Sequence, residues 1–188
     1  MRRHKMATSL PALALSVCGL MAAATGTAQA AAYDDITMQK QEKTQWCWDA
    51  SGNTIAAWWG YSYTQTQFCD LAHSATGVSC ANQPATLGDM AGAWQKMGFS
   101  NTGTGVSSAL SFNDISTEVN ASRPMGVRIG WNSGGGHMNV IYGFDERNNT
   151  IGVGDPWPDT QTYTWWNYND YVSNGSFKWT HSRYRIQG

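Results

Sequence analysis

The period of the apolar residues changes once along this chain, near Pro124, and that change limits the fold more than any other feature. Before it, the spacing is helical. Within Cys47–Trp59, residues Ala50, Thr54, Ile55, Trp58 and Trp59 recur three or four apart, and Gly60 follows as a stop. A second helix is expected from Thr64, carrying Phe68, Cys69 and Leu71. A third runs from Thr86 to Gly98 with Leu87, Met90, Trp94 and Met97 on one face. A fourth starts at Ser111 with Phe112, Ile115 and Val119. After Pro124 the pattern turns to strands at Met125–Trp131, His137–Phe144 and Thr150–Val153. Two more lie near Gln161–Trp166 and Phe177–Arg185. Helices first and antiparallel strands second imply an α+β fold, an N-terminal helical half packed on a C-terminal sheet half. A cleft between the halves is the natural place for a site.

The first thirty residues stand outside this pattern. Arg2, Arg3, His4 and Lys5 precede an apolar stretch from Met6 to about Ala24, and Ala28-Gln29-Ala30 reads as a small-x-small cleavage signature. The whole reads as a secretory signal peptide over residues 1–30, with cleavage after Ala30 or Ala32. One domain is expected over residues 31–188, since no linker divides it, and no further apolar run is long enough to anchor the chain in a membrane. The signal holds three of the twelve Lys and Arg residues and none of the thirteen acids. The exported part is therefore acidic and carries no basic run, which argues against a nucleic-acid partner.

Export makes the cysteines informative. Without Cys18 there remain Cys47, Cys69 and Cys80. Secreted chains usually pair their thiols, so an odd number implies that one is kept free. Cys69 and Cys80 lie close together with a turn at Gly77 between them and are expected to form a disulfide. Cys47 is then the odd thiol.

Cys47 opens the first expected helix, within Gln45-Trp46-Cys47-Trp48-Asp49. A helix N-terminus stabilises a thiolate and offers unpaired N–H groups to an oxyanion. Among the histidines His73, His137 and His181, context favours His137, which starts a strand after Gly134-Gly135-Gly136. Asp155-Pro156-Trp157 ends the next strand, where the hairpin returns beside His137. A carboxylate there can fix the imidazole tautomer. Gln41, six residues before Cys47, can supply an oxyanion amide, with Gln45 as its rival.

The ordered set Gln41, Cys47-Trp48, His137 and Asp155-Pro156-Trp157 resembles the papain-like cysteine proteases. It is most similar to the small secreted bacterial branch that holds plant-pathogen effector proteases and leader-peptidase-like proteases. That family places an oxyanion glutamine six residues before the cysteine and a tryptophan just after it. It also places a histidine opening a strand, with Asn or Asp on the next strand and often a tryptophan two residues later. The resemblance implies a peptidase acting on protein or peptide substrates without a cofactor or metal, with Cys47, His137 and Asp155 catalytic and Gln41 at the oxyanion. Trp46, Trp48, Trp131 and Trp157 are expected to line the substrate cleft, and the protein is expected to be a secreted monomer. The chain departs from plant papain at Asp155, where papain has Asn, and at Trp46, where papain has a small residue. Residues 31–41 are also too few for a long inhibitory pro-domain.

Three other readings use the same residues. A Cys-His-Asp site also suits amide cleavage or transglutaminase-type acyl transfer. The ten tryptophans and eight tyrosines could serve a binding protein without enzymatic activity. Cys69, His73 and Cys80 could hold zinc, although the close cysteine pair typical of structural zinc is missing.

Overall fold

A computed structural model describes residues 30–188. The expected signal peptide lies outside the described residues, apart from Ala30. Seven strands form a mixed-length antiparallel sheet, flanked by helices on both faces. The elements run β1 (Ala31–Tyr33), α1 (Cys47–Trp58), α2 (Gln65–Thr76), α3 (Leu87–Met97), β2 (Asn101–Val106) and α4 (Phe112–Asn120). They continue as β3 (Met125–Trp131), β4 (Gly136–Asp145), β5 (Thr150–Gly154), β6 (Tyr163–Asn167), α5 (Tyr168–Val172) and β7 (Phe177–Gln187).

Local chemistry sets the helix starts. Thr64 and Thr86 each close a capping box, with Gln67 and Asp89, and Ser111 caps α4. Each such cap stabilises its helix by about 1 kcal/mol. α1 is different: its N-cap is Trp46, which makes no side-chain cap bond. That leaves the first N–H groups of α1 uncapped at Cys47.

The sheet runs β2-β7-β3-β4-β5-β6, and β1 pairs the far end of β4. β4 is central and buried on both faces. Met138, Val140 and Tyr142 join the core under α1–α3, together with Trp48, Ile55, Phe68, Met90 and Trp94. Ile141 and Phe144 join the opposite core with Ile115, Val127, Ile151 and Trp179, under α4. Complete burial of a side chain such as Ile55 stabilises by about 2 kcal/mol. This two-sided burial explains why β4 is apolar without a break from Val140 to Phe144. It also fixes the register that presents His137 opposite Ile129.

The α+β architecture is as the period change implied. Three elements were not expected. β1 has only three residues, and β2 (Asn-Thr-Gly-Thr-Gly-Val) is an edge strand with no buried residue and no apolar alternation. α5 is a short helix started by the Asn167 side chain, which accepts from Asn169 and Asp170 N–H. Helices and strands are therefore interleaved at β1 and β2 rather than wholly segregated. Among the described residues no helix is long and apolar enough to cross a membrane.

Candidate active site

The segment before α1 is tightly pinned. Trp46 N–H donates to Lys43 O at 3.0 Å, and the Lys43 ammonium lies 3.6 Å over the Trp46 ring. The indole N–H groups of Trp46 and Trp48 donate to Ala81 O (3.0 Å) and Gln83 O (3.2 Å). Both tryptophans are fully buried. This corrects the expectation that they line the cleft: Trp48 shares the inward face of α1 with Ile55, seven residues on, and Trp46 caps that core from below. They act as posts that hold the 81–83 loop. The Cys69–Cys80 disulfide closes the same loop (S–S 2.06 Å). Because that bond takes both sulfurs, Cys69, His73 and Cys80 offer no zinc site. Cys47 is half-buried and the free thiol among the described residues.

The second partner comes from the sheet. Gly134 and Gly135 adopt left-handed φ values of 98° and 80°, a turn closed to most side chains. A Cβ on Gly136 would lie 2.5 Å from the Arg128 guanidinium, so the loop approaches β3 closely before His137 begins β4 proper. His137 is 8% exposed. Its Nε2 donates to Asp155 Oδ1 at 2.7 Å. The same carboxylate oxygen accepts Trp157 N–H at 2.8 Å. Trp131 stacks parallel to the imidazole (6.4 Å, 20°), and Trp157 meets it edge-on (6.4 Å, 81°).

These contacts set the charges. Burial alone would lower the His137 pKa. The hydrogen bond to Asp155, the nearness of the Cys47 sulfur and the charges of both outweigh it and raise the pKa to about 9. Burial pushes Asp155 upward, but the His137 hydrogen bond and charge, with the Trp157 N–H, hold it below the usual carboxylate range. Since Nε2 is committed to Asp155, Nδ1 is the ring nitrogen left for Cys47.

Cys47 and His137 stand on the ridge between two hollows, each about 440 Å³. One hollow is walled by Thr44, Trp131, Asp155, Trp157 and Thr160, the other by Pro84, Ala85, Thr86, Arg128 and Met138; Gln45 borders both. The structure thus brings together Cys47, His137, Asp155, Trp131 and Trp157. Gln41 is buried beside them but does not line either hollow. Its amide donates both protons, to Lys43 O and Thr44 O, each at 2.9 Å.

Two contributors had no signal in the sequence. The Lys40 ammonium donates to the carbonyls of Asp155 (3.2 Å), Trp157 (2.6 Å) and Thr160 (3.0 Å), clamping the loop that carries Asp155. Arg128 looks like any strand residue, yet its guanidinium bonds Thr180 Oγ1 and Gly135 O beside the site. His73 and His181 are exposed and bond locally. Among the described residues no three metal-ligating side chains gather.

A sequence profile of the family described as "Papain-like cysteine protease AvrRpt2" matches residues 30–173. No curated protein matches the sequence significantly. Two solved structures share the fold. The peptidase domain of Streptococcus ComA, a bifunctional ABC transporter of a quorum-sensing pathway, is 19% identical with a TM-score of 0.61. The match covers 79% of this chain and 96% of that one. A double glycine motif protease from an AMS/PCAT transporter, solved in complex with the leader peptide, is 16% identical with a TM-score of 0.53. That match covers 84% of this chain and 95% of the other.

Proposed function

Because this chain belongs to the family of the papain-like cysteine protease AvrRpt2, we propose that it is an exported peptidase in which Cys47 is the nucleophile and His137 the acid–base. The observation that carries this reading is the 2.7 Å bond from His137 Nε2 to Asp155 Oδ1, in a ring that shares its cleft with a free thiol at a helix start. Asp155 keeps the proton on Nε2 and stabilises the imidazolium; the thiol proton goes to Nδ1. The sulfur then attacks the carbonyl carbon of a peptide lying across the ridge between the two hollows. The carbonyl oxygen becomes an oxyanion, which the free Cys47 N–H at the start of α1 can receive. The His137 proton passes to the leaving amine as the C–N bond breaks, which leaves a thioester on Cys47. Water, losing a proton to Nδ1, attacks the thioester, releases the acid and restores the thiol.

The second oxyanion donor is a glutamine amide. We assign it to Gln41, which must then release one of its two carbonyls. Thr44 is exposed, so water can replace the amide at Thr44 O at little cost. Export rests on residues 1–30, and the Cys69–Cys80 disulfide suits an oxidising compartment. The peptidase unit is taken as residues 31–188.

Iodoacetamide at mildly acidic pH tests the reading. Modification of Cys47 in step with loss of casein hydrolysis is expected, with Cys47→Ser inert to both. Hydrolysis that survives complete alkylation of Cys47, or persists in Cys47→Ser, would overturn it.

A further inference from the structure

One row of residues crosses β1, β4, β5 and β6: Tyr33, Gly143, Gly152 and Trp165. The two glycines let the rings settle directly on the strand backbone, Trp165 over Gly143 and Tyr142 over Gly152. A Cβ on Gly143 would lie 2.8 Å from the Trp165 ring and 2.9 Å from Tyr33. Tyr142 stands edge-on to Tyr163 (5.6 Å, 82°) and to Trp165 (6.0 Å, 70°). Tyr33, Tyr163 and Trp165 remain 65%, 40% and 48% exposed, in a protein whose other aromatic clusters are largely covered. Together these four rings border a hollow of about 330 Å³.

Asp34 and Asp35 also line that hollow, and among the described residues no Lys or Arg does. Asp34 is 3% exposed, and its Oδ2 has no hydrogen-bond partner among the described residues. A buried carboxyl without a donor is costly to ionise, and a ligand ammonium in the hollow would favour its charged form. The faces of the rings carry partial negative charge and attract a cation in the same way. On the neighbouring side of Tyr33 and Trp165, Asp145 is already engaged by Arg147 (3.2 Å) and Asn148 (2.7 Å), so the carboxyls left without a cationic partner are the exposed Asp35 and the buried Asp34.

We propose that this aromatic box is a recognition site for a cationic side chain, Lys or Arg, presented by a peptide or protein partner. The site is anchored to the segment leading to the nucleophile: Tyr163 hydroxyl donates to Ile36 O (2.9 Å) and accepts Met38 N–H (2.8 Å). It stands independently of what Cys47 does.

The test is calorimetric titration of the Cys47→Ser protein with short blocked peptides carrying arginine, lysine, trimethyl-lysine or glutamine at one position. The cationic peptides should bind at least ten-fold more tightly than the glutamine peptide, and more weakly as salt rises. Trp165→Ala and Asp34→Asn should each lose at least ten-fold, and Tyr33→Ala, at an exposed position, should lose affinity without disturbing the fold. Equal affinity for the glutamine and arginine peptides, or full binding in both Trp165→Ala and Tyr33→Ala, would overturn the site. So would binding of neutral oligosaccharides that depends on Trp165 while the cationic peptides fail to bind. Because the readout is binding to a protein lacking the thiol, its failure leaves the hydrolytic reading untouched, and alkylation of Cys47 tests that reading separately.

Discussion

His137 and Asp155 meet through a single 2.7 Å bond from Nε2 to Oδ1, and the Trp157 N–H donates to that same oxygen, so the carboxylate is fixed before any substrate arrives. The folded pKa of His137, about 9, exceeds the 6.5 of a free histidine. The imidazolium therefore persists through neutral pH and is lost as pH rises through about 9. The alkaline limb of kcat/KM should lie near that value. Asp155→Asn removes the accepting charge but keeps an oxygen that can accept the Nε2 proton, as the asparagine of papain does, so the limb should move to lower pH while kcat falls only modestly. A pH–rate profile of both proteins decides it; an unmoved limb in Asp155→Asn would show that Asp155 does not govern the ring.

The two glutamines near Cys47 make opposite predictions. Gln41 is buried with both amide protons spent on Lys43 O and Thr44 O, whereas Gln45 is exposed and borders both hollows. With the oxyanion assigned to Gln41, Gln41→Ala should lower kcat by about 10²-fold with little change in KM. Gln45→Ala should stay within a few-fold of the parent. The reverse ranking in steady-state kinetics would move the donor to Gln45.

Lys40 holds the Asp155 loop through three carbonyls, and hydrogen bonds from a charged donor contribute about 1.5–3 kcal/mol each when buried. Lys40 is partly exposed, so Lys40→Met should destabilise the protein by only about 1–2 kcal/mol. It should also shift the alkaline limb of activity downward, as a loosened Asp155 supports His137 less. Lys40→Arg should recover part of both. An unchanged profile in a less stable Lys40→Met protein would make the clamp purely structural.

The helices and long strands were legible because periodicity reports burial directly: β4 is apolar from Val140 to Phe144 since both its faces are covered there. Cys47, His137 and Asp155 were legible because each carries its own context, a helix start, a glycine turn and a strand end. Trp46 and Trp48 show the limit. Beside a candidate nucleophile they suggested a cleft lining, yet the helical period already put Trp48 on the face of Ile55, and burial followed the period. Lys40 and Arg128 were invisible because their roles depend on carbonyls 115 or more residues away for Lys40 and on a neighbouring strand and loop for Arg128. β1 and β2 are too short or too glycine-rich to alternate.

Asp49 predicts an unusual dependence of stability on pH. It is fully buried two residues after Cys47, and neither carboxylate oxygen has a hydrogen-bond partner among the described residues. Burial, with a smaller push from Glu42, raises its pKa to about 8; burial alone raises Asp34 to about 7. In the unfolded chain both carboxyls release their protons near 3.8. Between those values the folded state holds more protons than the unfolded one, so stability falls as pH rises, by at most about 1.4 kcal/mol per pH unit for each group. His137 adds a fall of the same sign that sets in as the unfolded histidine begins to lose its proton below 6.5, so the window from about pH 4.5 to 5.5 isolates the carboxyls. Urea unfolding midpoints should decline across that window. Asp49→Asn, which carries no charge to bury, should flatten the decline and be the more stable protein at pH 8. A slope unchanged by the substitution would mean that Asp49 is ionised in the fold and meets a partner there.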